Sequence, residues 1–154
     1  MTTTLTHAQL IDSVGSDLGT SEWIEINQVR IDGFAEYTED RQWIHTDRHR
    51  AAEGPFGTTI AHGFLTLALV PHLLGKIFHV SDETRGVNYG LDKVRFTNPV
   101  PVDSHIRLKA SMGNVSQRQD GGVTCHVKIE IEIKDVERPA MVGEFLLLSY
   151  CDHA

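Results

Sequence analysis

The sequence predicts an α+β protein in which an antiparallel sheet wraps around one apolar helix. Apolar residues recur mostly at helical spacing in the first half of the chain, and from residue 85 onward they alternate with polar residues as in strands. The most apolar stretch, 60–78, lies between these two patterns. With 154 residues the chain has room for a single domain, 1–154, in which helix and sheet share one core.

The N-terminal elements follow from capping residues. Thr6 and Gln9 have the spacing of a capping box, which predicts that a helix begins at this point. Residues 22–26 alternate as in a short strand. Asn27 is a suitable N-cap for a following helix whose apolar face includes Ile31. We therefore expect a helix, a short strand and a second helix before residue 38.

The next two segments differ sharply in polarity. Residues 38–59 are polar and predict a long, partly helical connection, which is unusual inside a compact domain unless it serves a site. Residues 60–78 are apolar around nearly the whole helical wheel, which predicts a buried central helix. Pro71 cannot donate a hydrogen bond to the carbonyl of Leu67, so a kink or an early stop is expected there.

The second half predicts strands. Apolar residues alternate with polar ones over 105–112 and more cleanly over 123–134, which is typical of an antiparallel sheet covered on one face. The run Asp120-Gly121-Gly122 supplies hairpin-turn residues before the second of these strands. Residues 141–150 are apolar on both faces and suit a central strand.

Composition and charge exclude several classes of protein. The chain carries 14 Lys plus Arg against 21 Asp plus Glu, a net charge of −7, so no basic footprint for duplex nucleic acid is expected. No apolar run is long enough to span a bilayer, and the first residues lack the pattern of a signal peptide. Cys125 and Cys151 form no CxxC pair, so neither a disulfide framework nor a cysteine zinc site is expected. We expect a cytoplasmic protein without a membrane or nucleic-acid partner.

Two features of the central region could carry chemistry. Asp40 and His45 place a carboxylate and an imidazole five positions apart, and such a pair can act on one water as general base and acid near neutral pH. By itself the spacing is weak evidence, because both residue types are common in caps and turns. If Gly63 begins the apolar helix, its N–H is a free donor that could polarise a carbonyl. A glycine at a tight helix entry explains the same residue without chemistry.

Three sequence blocks together resemble a known family, the MaoC-like (R)-specific enoyl-CoA hydratases, in the branch that includes NodN-like proteins. The blocks are Asp40-Arg41-Gln42-Trp43-Ile44-His45, Ile60-Ala61-His62-Gly63-Phe64-Leu65 and Asn88-Tyr89-Gly90-Leu91-Asp92-Lys93-Val94-Arg95-Phe96. The resemblance covers about residues 23–102. It implies a hot-dog fold, a curved antiparallel sheet around a long central helix, and the reversible hydration of trans-2-enoyl-CoA to (R)-3-hydroxyacyl-CoA.

The resemblance also implies roles for individual residues. Asp40 would take a proton from water, while His45 would hold that water and help to deliver a proton to C2. The Gly63 amide would polarise the thioester carbonyl, so no metal and no separate cofactor are expected, and coenzyme A enters as part of the substrate. Trp43 is expected to pack as large aromatic residues usually do, and its place between Asp40 and His45 also suits a wall of the acyl pocket. Because the net charge of −7 opposes the phosphates of coenzyme A, Arg95 is a candidate phosphate contact, and a solvated surface residue is an equal alternative for it. Pairing of sheet edges would give a homodimer.

Two departures from the family pattern leave alternatives open. Gln42-Trp43 stands where the hydratase signature commonly has Asn-Pro, and Pro71 falls where many hydratases carry a serine that supports the aspartate. These differences bear on rate and substrate range. An acyl-CoA thioesterase of the same fold is one alternative, and a non-catalytic acyl-CoA-binding accessory protein is another. The acyl chain length and the choice between coenzyme A and acyl-carrier-protein thioesters also stay open.

Overall fold

The computed structural model describes residues 2–151. In chain order the strands are β1 (Thr3–Leu5), β2 (Asp17–Thr20), β3 (Ile24–Ile26), β4 (Phe78–Val80), β5 (Arg85–Phe96), β6 (Ser104–Gln117), β7 (Val123–Ile133) and β8 (Met141–Tyr150). The α-helices are α1 (Gln28–Thr38), α2 (Trp43–Thr46), α3 (Arg48–Ala52), α4 (Gly63–Ala68) and α5 (Val70–Ile77), and a 3-10 helix spans His7–Ser13.

Six strands form one antiparallel sheet. Five of them follow the order β2-β6-β7-β8-β5, and the sixth is β3. β3 also pairs with β6, beyond the segment of β6 that pairs with β2. β1 and β4 form a separate parallel pair. The strand content predicted for the second half of the chain is therefore confirmed, with β5 at one edge of the sheet.

The alternating segments face the core as expected. In β7 the odd-numbered residues from Val123 to Ile133 are buried, whereas Lys128 on the opposite face is exposed. β8, which is apolar on both faces, lies between β7 and β5. The predicted turn before β7 is also present: the Asp120 carboxylate accepts a hydrogen bond from the Gly122 N–H at 3.1 Å, and Gly121 has a positive φ of 85°.

The predicted N-caps are confirmed. The Asn27 side chain accepts a hydrogen bond from the Arg30 N–H at 3.0 Å, and α1 begins at the next residue. Thr6 and Gln9 make both hydrogen bonds of a capping box, although the helix that follows is a 3-10 helix. Ile31 is fully buried on the inner face of α1.

The apolar segment 60–78 is interrupted beside Pro71, as expected from the missing N–H. α4 ends at Ala68 and α5 begins at Val70, so proline occupies the second position of a helix, where its lack of an N–H is tolerated. The expectation that this segment is buried on all sides is wrong. α5 buries one face, which includes Leu73 and Ile77, against the core, and its opposite face, which includes His72, is exposed.

β5 differs from the other long strands because most of its residues are exposed. Val87, Tyr89, Leu91 and Phe96 are large apolar side chains with 39% to 57% of their surface accessible. Among the described strands β5 pairs only with β8, so this edge strand of twelve residues leaves a row of backbone groups unpaired on its other side. Among the helices described between residues 2 and 151, none is long and apolar enough to cross a membrane.

Candidate active site

Asp40 lies in a tight reversal of the chain at the end of α1. The helix ends at Thr38, and Glu39 adopts a left-handed conformation with φ 62°, which turns the chain away from the helix axis. The Arg41 guanidinium contacts the Glu36 carboxylate at 2.8 Å across this reversal. The Asp40 residue itself is exposed. The connection predicted from polarity therefore begins with a carboxylate held by a compact turn.

His45, on α2, is buried and fixed by main-chain groups. Its Nδ1 lies 2.6 Å from the carbonyl oxygen of Ile60, and the Ile60 N–H donates to the carbonyl of Ile44 at 3.1 Å. Because a carbonyl can only accept a hydrogen bond, Nδ1 carries the ring proton. Nε2 of the neutral ring is then an acceptor with a lone pair available for a water molecule.

The surroundings of His45 favour its neutral form. Burial lowers the pKa of the imidazole and is the largest influence, while the hydrogen bond to the Ile60 carbonyl raises it. The nearby His62 lowers the pKa further, and Asp40 raises it. The net direction is downward from the ordinary value of 6.5, so at neutral pH the ring is uncharged.

A buried glutamine, which the sequence did not point to, ties the elements of the site together. Gln28 in α1 donates from Nε2 to the carbonyl of His45 and to the Asp32 carboxylate, both at 2.7 Å. Its Oε1 accepts a hydrogen bond from the Thr59 hydroxyl. The Gln28 amide therefore links α1, α2 and the segment before α4. Two of its partners, His45 and Thr59, are distant in sequence, and the third, Asp32, is one helical turn away.

Gly63 is the first residue of α4, as predicted, and presents one of the N–H groups that have no partner within a helix. The segment before it is held by hydrogen bonds from Ala61 to the carbonyl of Val100 and from Val102 to the carbonyl of Thr59. A Cβ atom at Gly63 would lie 2.8–3.0 Å from ring atoms of Phe96, closer than side chains approach one another. A glycine is therefore required here for packing, whatever its N–H does.

His62 belongs to one of the sequence blocks named above but was not predicted as a site residue. It completes the group around Asp40 and His45. Its ring stacks on that of His45 with a centroid separation of 3.8 Å and an interplanar angle of 25°. Polar atoms of Asp40, His45 and His62 lie within 4.8 Å of one another. Stacked rings direct their in-plane lone pairs side by side rather than toward one ion. The arrangement therefore suits proton transfer better than metal binding.

A cavity of about 240 Å³ opens beside His45. It is lined by His45, Ile60, Ala61, Gly63, Thr66, Phe96, Thr97, Asn98, Pro99, Val100 and Ala140. The imidazole and the N-terminus of α4 therefore share one small space, bounded by the end of β5 and by Ala140, the residue before β8. This space is large enough for part of a substrate and lies next to the proposed acid–base pair.

The other two predicted residues lie elsewhere. The Trp43 ring packs against Gly54, and the Arg50 guanidinium lies 4.3 Å from its centroid. Arg95 is exposed on β5 and donates to the carbonyl of Val94. Among residues 2–151, neither Trp43 nor Arg95 lines the cavity beside His45. Their assignments to the acyl pocket and to coenzyme A stay predictions.

Pro71 does not line the cavity beside His45. Pro71 lines a separate cavity of about 280 Å³, together with Cys125 and residues of β8, rather than the space beside His45. Thr66 of α4 is buried and lines the cavity beside His45. The hydroxyl-bearing residue that the helix brings to this site is therefore Thr66.

A second cluster of titratable side chains lies on the sheet. Nδ1 of His126 on β7 is 3.3 Å from the Glu144 carboxylate of β8 and 3.7 Å from that of Asp92 on β5. Their ligand atoms also lie within 4.8 Å of one another. All three side chains are partly exposed, so these contacts are expected to contribute little to stability.

Comparison with known proteins identifies the family. A sequence model described as "MaoC like domain" matches residues 10–133 of the chain. The chain belongs to the MaoC-like dehydratase family. It is 44% identical over 140 residues to 3-hydroxyacyl-thioester dehydratase Z of Mycobacterium tuberculosis, covering 91% of this chain and 93% of that protein. It is 38% identical over 150 residues to nodulation protein N of Rhizobium leguminosarum bv. viciae, covering 96% and 93%.

Solved structures place this MaoC-like chain in the hot-dog fold, as the sequence resemblance implied. The "Monoamine oxidase regulatory protein" of Archaeoglobus aligns over 99% of both chains with a TM-score of 0.80 and 21% identity. The (R)-hydratase of A. caviae, described as involved in PHA biosynthesis, aligns over 90% of this chain and 96% of its own with a TM-score of 0.69 and 22% identity. Family membership supports a hydratase or dehydratase enzyme.

Proposed function

We propose that this protein is an (R)-specific enoyl-CoA hydratase that reversibly converts trans-2-enoyl-CoA to (R)-3-hydroxyacyl-CoA. The observation that carries the proposal is the convergence of Asp40 with a neutral His45, whose Nε2 is an acceptor, beside a cavity that Gly63 also lines. The names of the dehydratase and hydratase relatives support the same reaction class.

In the proposed reaction, a water molecule lies between the Asp40 carboxylate and Nε2 of His45. Its oxygen bonds to C3 of the enoyl group while Asp40 takes one of its protons. The protonated Asp40 passes that proton on to C2 and returns to a carboxylate, and His45, which holds the water through Nε2, helps to position this transfer. The C2=C3 double bond is consumed and no redox change occurs. Negative charge that develops on the thioester oxygen accepts a hydrogen bond from the Gly63 N–H. Dehydration uses the same groups in reverse.

The substrate is proposed to be an acyl thioester, with coenzyme A as the first candidate carrier. The dehydratase from Mycobacterium tuberculosis is named for 3-hydroxyacyl thioesters, which fits either coenzyme A or an acyl-carrier protein. Arg95 stays the proposed phosphate contact and Trp43 the proposed pocket wall. Because the net charge of −7 opposes an anionic carrier at long range, a local cation such as Arg95 is needed.

We also propose a homodimer formed through β5. This strand ends the sheet, and its exposed apolar side chains include Tyr89 and Leu91. Pairing with β5 of a second copy would satisfy the open edge and bury these side chains. A cytoplasmic location stays a prediction from the sequence.

The decisive experiment follows the loss of enoyl-thioester absorbance with crotonyl-CoA and with a longer-chain enoyl-CoA. Asp40→Asn and His45→Gln are each expected to lose about two to four decades of kcat with the fold intact, the usual scale for an acid–base group. Glu39→Gln and His49→Gln are matched controls, since both residues are exposed neighbours of the same types. Chiral analysis of the product is expected to give the (R)-3-hydroxy isomer.

Other outcomes would favour other functions. Release of free thiol from saturated acyl-CoA, without hydration, would indicate the thioesterase alternative. Saturable binding of enoyl-CoA with no absorbance change on either substrate would indicate the non-catalytic acyl-CoA-binding protein. Equal activity of the wild type and Asp40→Asn would refute the proposed role of the carboxylate.

A further inference from the structure

His62 contacts both members of the proposed acid–base pair. Its Nε2 lies 2.8 Å from the main-chain carbonyl oxygen of Asp40, and its ring stacks on the ring of His45 at 3.8 Å. It is also the N-cap residue of α4, and its carbonyl accepts hydrogen bonds from the N–H groups of Leu65 and Thr66. One residue therefore joins the Asp40 turn, α2 and the helix that Gly63 begins.

We propose that His62 is a positioning residue that holds Asp40 by its Nε2–H and holds the His45 ring by stacking. This role rests on the proposed hydration by Asp40 and His45. His62 touches no reacting atom in the scheme above. Its contribution is the placement of the carboxylate and the imidazole relative to one water, and displacement of such groups by about 1 Å can cost about a hundredfold in rate.

The hydrogen bonding of His62 indicates that packing alone does not explain the residue. The carbonyl of Asp40 can only accept, so Nε2 carries the proton and Nδ1 is left with a lone pair. Nδ1 is buried, and within residues 2–151 it has no hydrogen-bond partner. A buried nitrogen without a partner is unfavourable, and an apolar ring at this position would avoid it. The feature that an apolar ring cannot supply is the Nε2–H donated to Asp40.

The stacking also affects the charge on His45. With the two rings stacked at 3.8 Å, His62 disfavours a positive charge on His45 and so lowers the pKa of His45. The described charged or titratable groups that act on His45 are His62 and Asp40, the second of which acts in the opposite direction. On its α1 side, His62 contacts the uncharged ring of Phe34 at 5.0 Å. His62 therefore helps to keep Nε2 of His45 free to accept a hydrogen bond.

Three substitutions separate these contributions. His62→Gln can place an amide N–H where Nε2 lies, His62→Asn replaces only the Nδ1 side, and His62→Phe keeps a stacked ring without a donor or charge. The measurements are kcat and KM for crotonyl-CoA from pH 5 to 9, thermal melting, and the NMR titration of the His45 ring. His49→Gln is the control for loss of an exposed histidine.

We expect His62→Phe and His62→Asn to lower kcat about ten- to a hundredfold with a smaller change in KM, and His62→Gln to recover most of the loss. In His62→Phe the acid limb of the rate profile and the His45 titration are both expected to move to higher pH. If His62→Phe does not fold, the comparison of kcat between His62→Gln and His62→Asn decides whether the Nε2–H is required. A purely structural residue would instead give equal losses for Gln and Asn and an unmoved acid limb, and that result would overturn the proposal.

The NMR titration separates failure of this inference from failure of the proposed function. If the wild type hydrates no enoyl-CoA, the proposed function fails, and an upward shift of the His45 titration in a folded His62 variant would still demonstrate the coupling of the two rings. If the wild type is active but the His45 titration and kcat are the same in wild type and His62→Phe, the positioning role is wrong while the hydratase assignment stands.

Discussion

Substitution of Gly63 can separate the two reasons for a glycine at the start of α4. Gly63→Ala keeps the N–H but places a Cβ 2.8–3.0 Å from three ring atoms of Phe96. Overpacking of this kind costs about 1–3 kcal/mol of folding stability. The same three ring atoms are the nearest neighbours of that Cβ, so Phe96→Ala is expected to remove the clash.

In the Phe96→Ala background, Gly63→Pro then replaces the amide hydrogen by the ring Cδ. Proline is favoured at the first residue of a helix, which is where Gly63 lies. The preceding residue, His62, has φ −60° and ψ 137°, a conformation that residues before proline adopt readily. Both double variants therefore carry a Cβ, and the proline variant differs in lacking the N–H donor and in carrying the ring atoms Cγ and Cδ.

If the Gly63 N–H stabilises the thioester oxygen, the proline double variant is expected to lose about 10²–10³ in kcat relative to the alanine double variant, as for other oxyanion donors. The assay is enoyl-CoA hydration, with thermal melting to show that both proteins fold and Phe96→Ala by itself as the reference. Equal kcat in the two folded double variants would refute the oxyanion role and leave packing against Phe96 as the explanation for the glycine.

Three further outcomes test the site, its titration and the oligomer. Gln28→Leu leaves the His45 carbonyl without its donor and is expected to lower the free energy of unfolding by about 1–3 kcal/mol in urea titrations, whereas the exposed Val29→Ala changes it little. Since the pKa of His45 is lower in the folded than in the unfolded protein, the unfolded chain binds the extra proton and stability decreases as the pH falls below about 6.5. His45→Gln should therefore reduce the pH dependence of stability between pH 5 and 7, and an unchanged slope would contradict the lowered pKa. Leu91→Lys on the exposed edge is expected to halve the mass measured by sedimentation without loss of fold, and an unchanged mass would argue against a β5 interface.

Local signals in the sequence predicted most of the elements. Asn27 caps α1 because its own side chain bonds an N–H three residues away, and the alternation over β7 reflects the period of a strand. Pro71 breaks the apolar segment because proline has no N–H to donate. These features depend on residues close together in sequence, so a pattern could reveal them.

The exposed faces were less predictable. Apolar residues predominate over 60–78, yet α5 exposes a face that carries His72 and Lys76. β5 is largely exposed although it carries the apolar side chains of Tyr89 and Leu91. A hydrophobic pattern indicates that burial of an apolar surface is more favourable than its exposure to water. It does not tell whether the same chain or a second copy covers it, because both remove the same apolar area from water.

The site also contains residues that the sequence could predict and residues that it could not. Asp40, His45 and Gly63 could be proposed from spacing and from the family resemblance, and the last two line one cavity. His62 and Gln28 could not, because their roles depend on contacts 17 or more residues away, such as the bond from Gln28 to the His45 carbonyl. The neutral state of His45 likewise follows from burial and from His62, which no spacing rule contains.

The proposed chemistry depends on these long-range contacts more than on the sequence departures. Pro71, which raised doubt about support for the aspartate, lines a different cavity, while Thr66 and His62 lie at the site itself. Hydration needs a carboxylate and a neutral imidazole held around one water, and His62 is the side chain that contacts both residues. A hydratase of this geometry should therefore be more sensitive to loss of the His62 Nε2–H than to replacement of Pro71 by serine, and parallel kcat measurements on the two variants would decide.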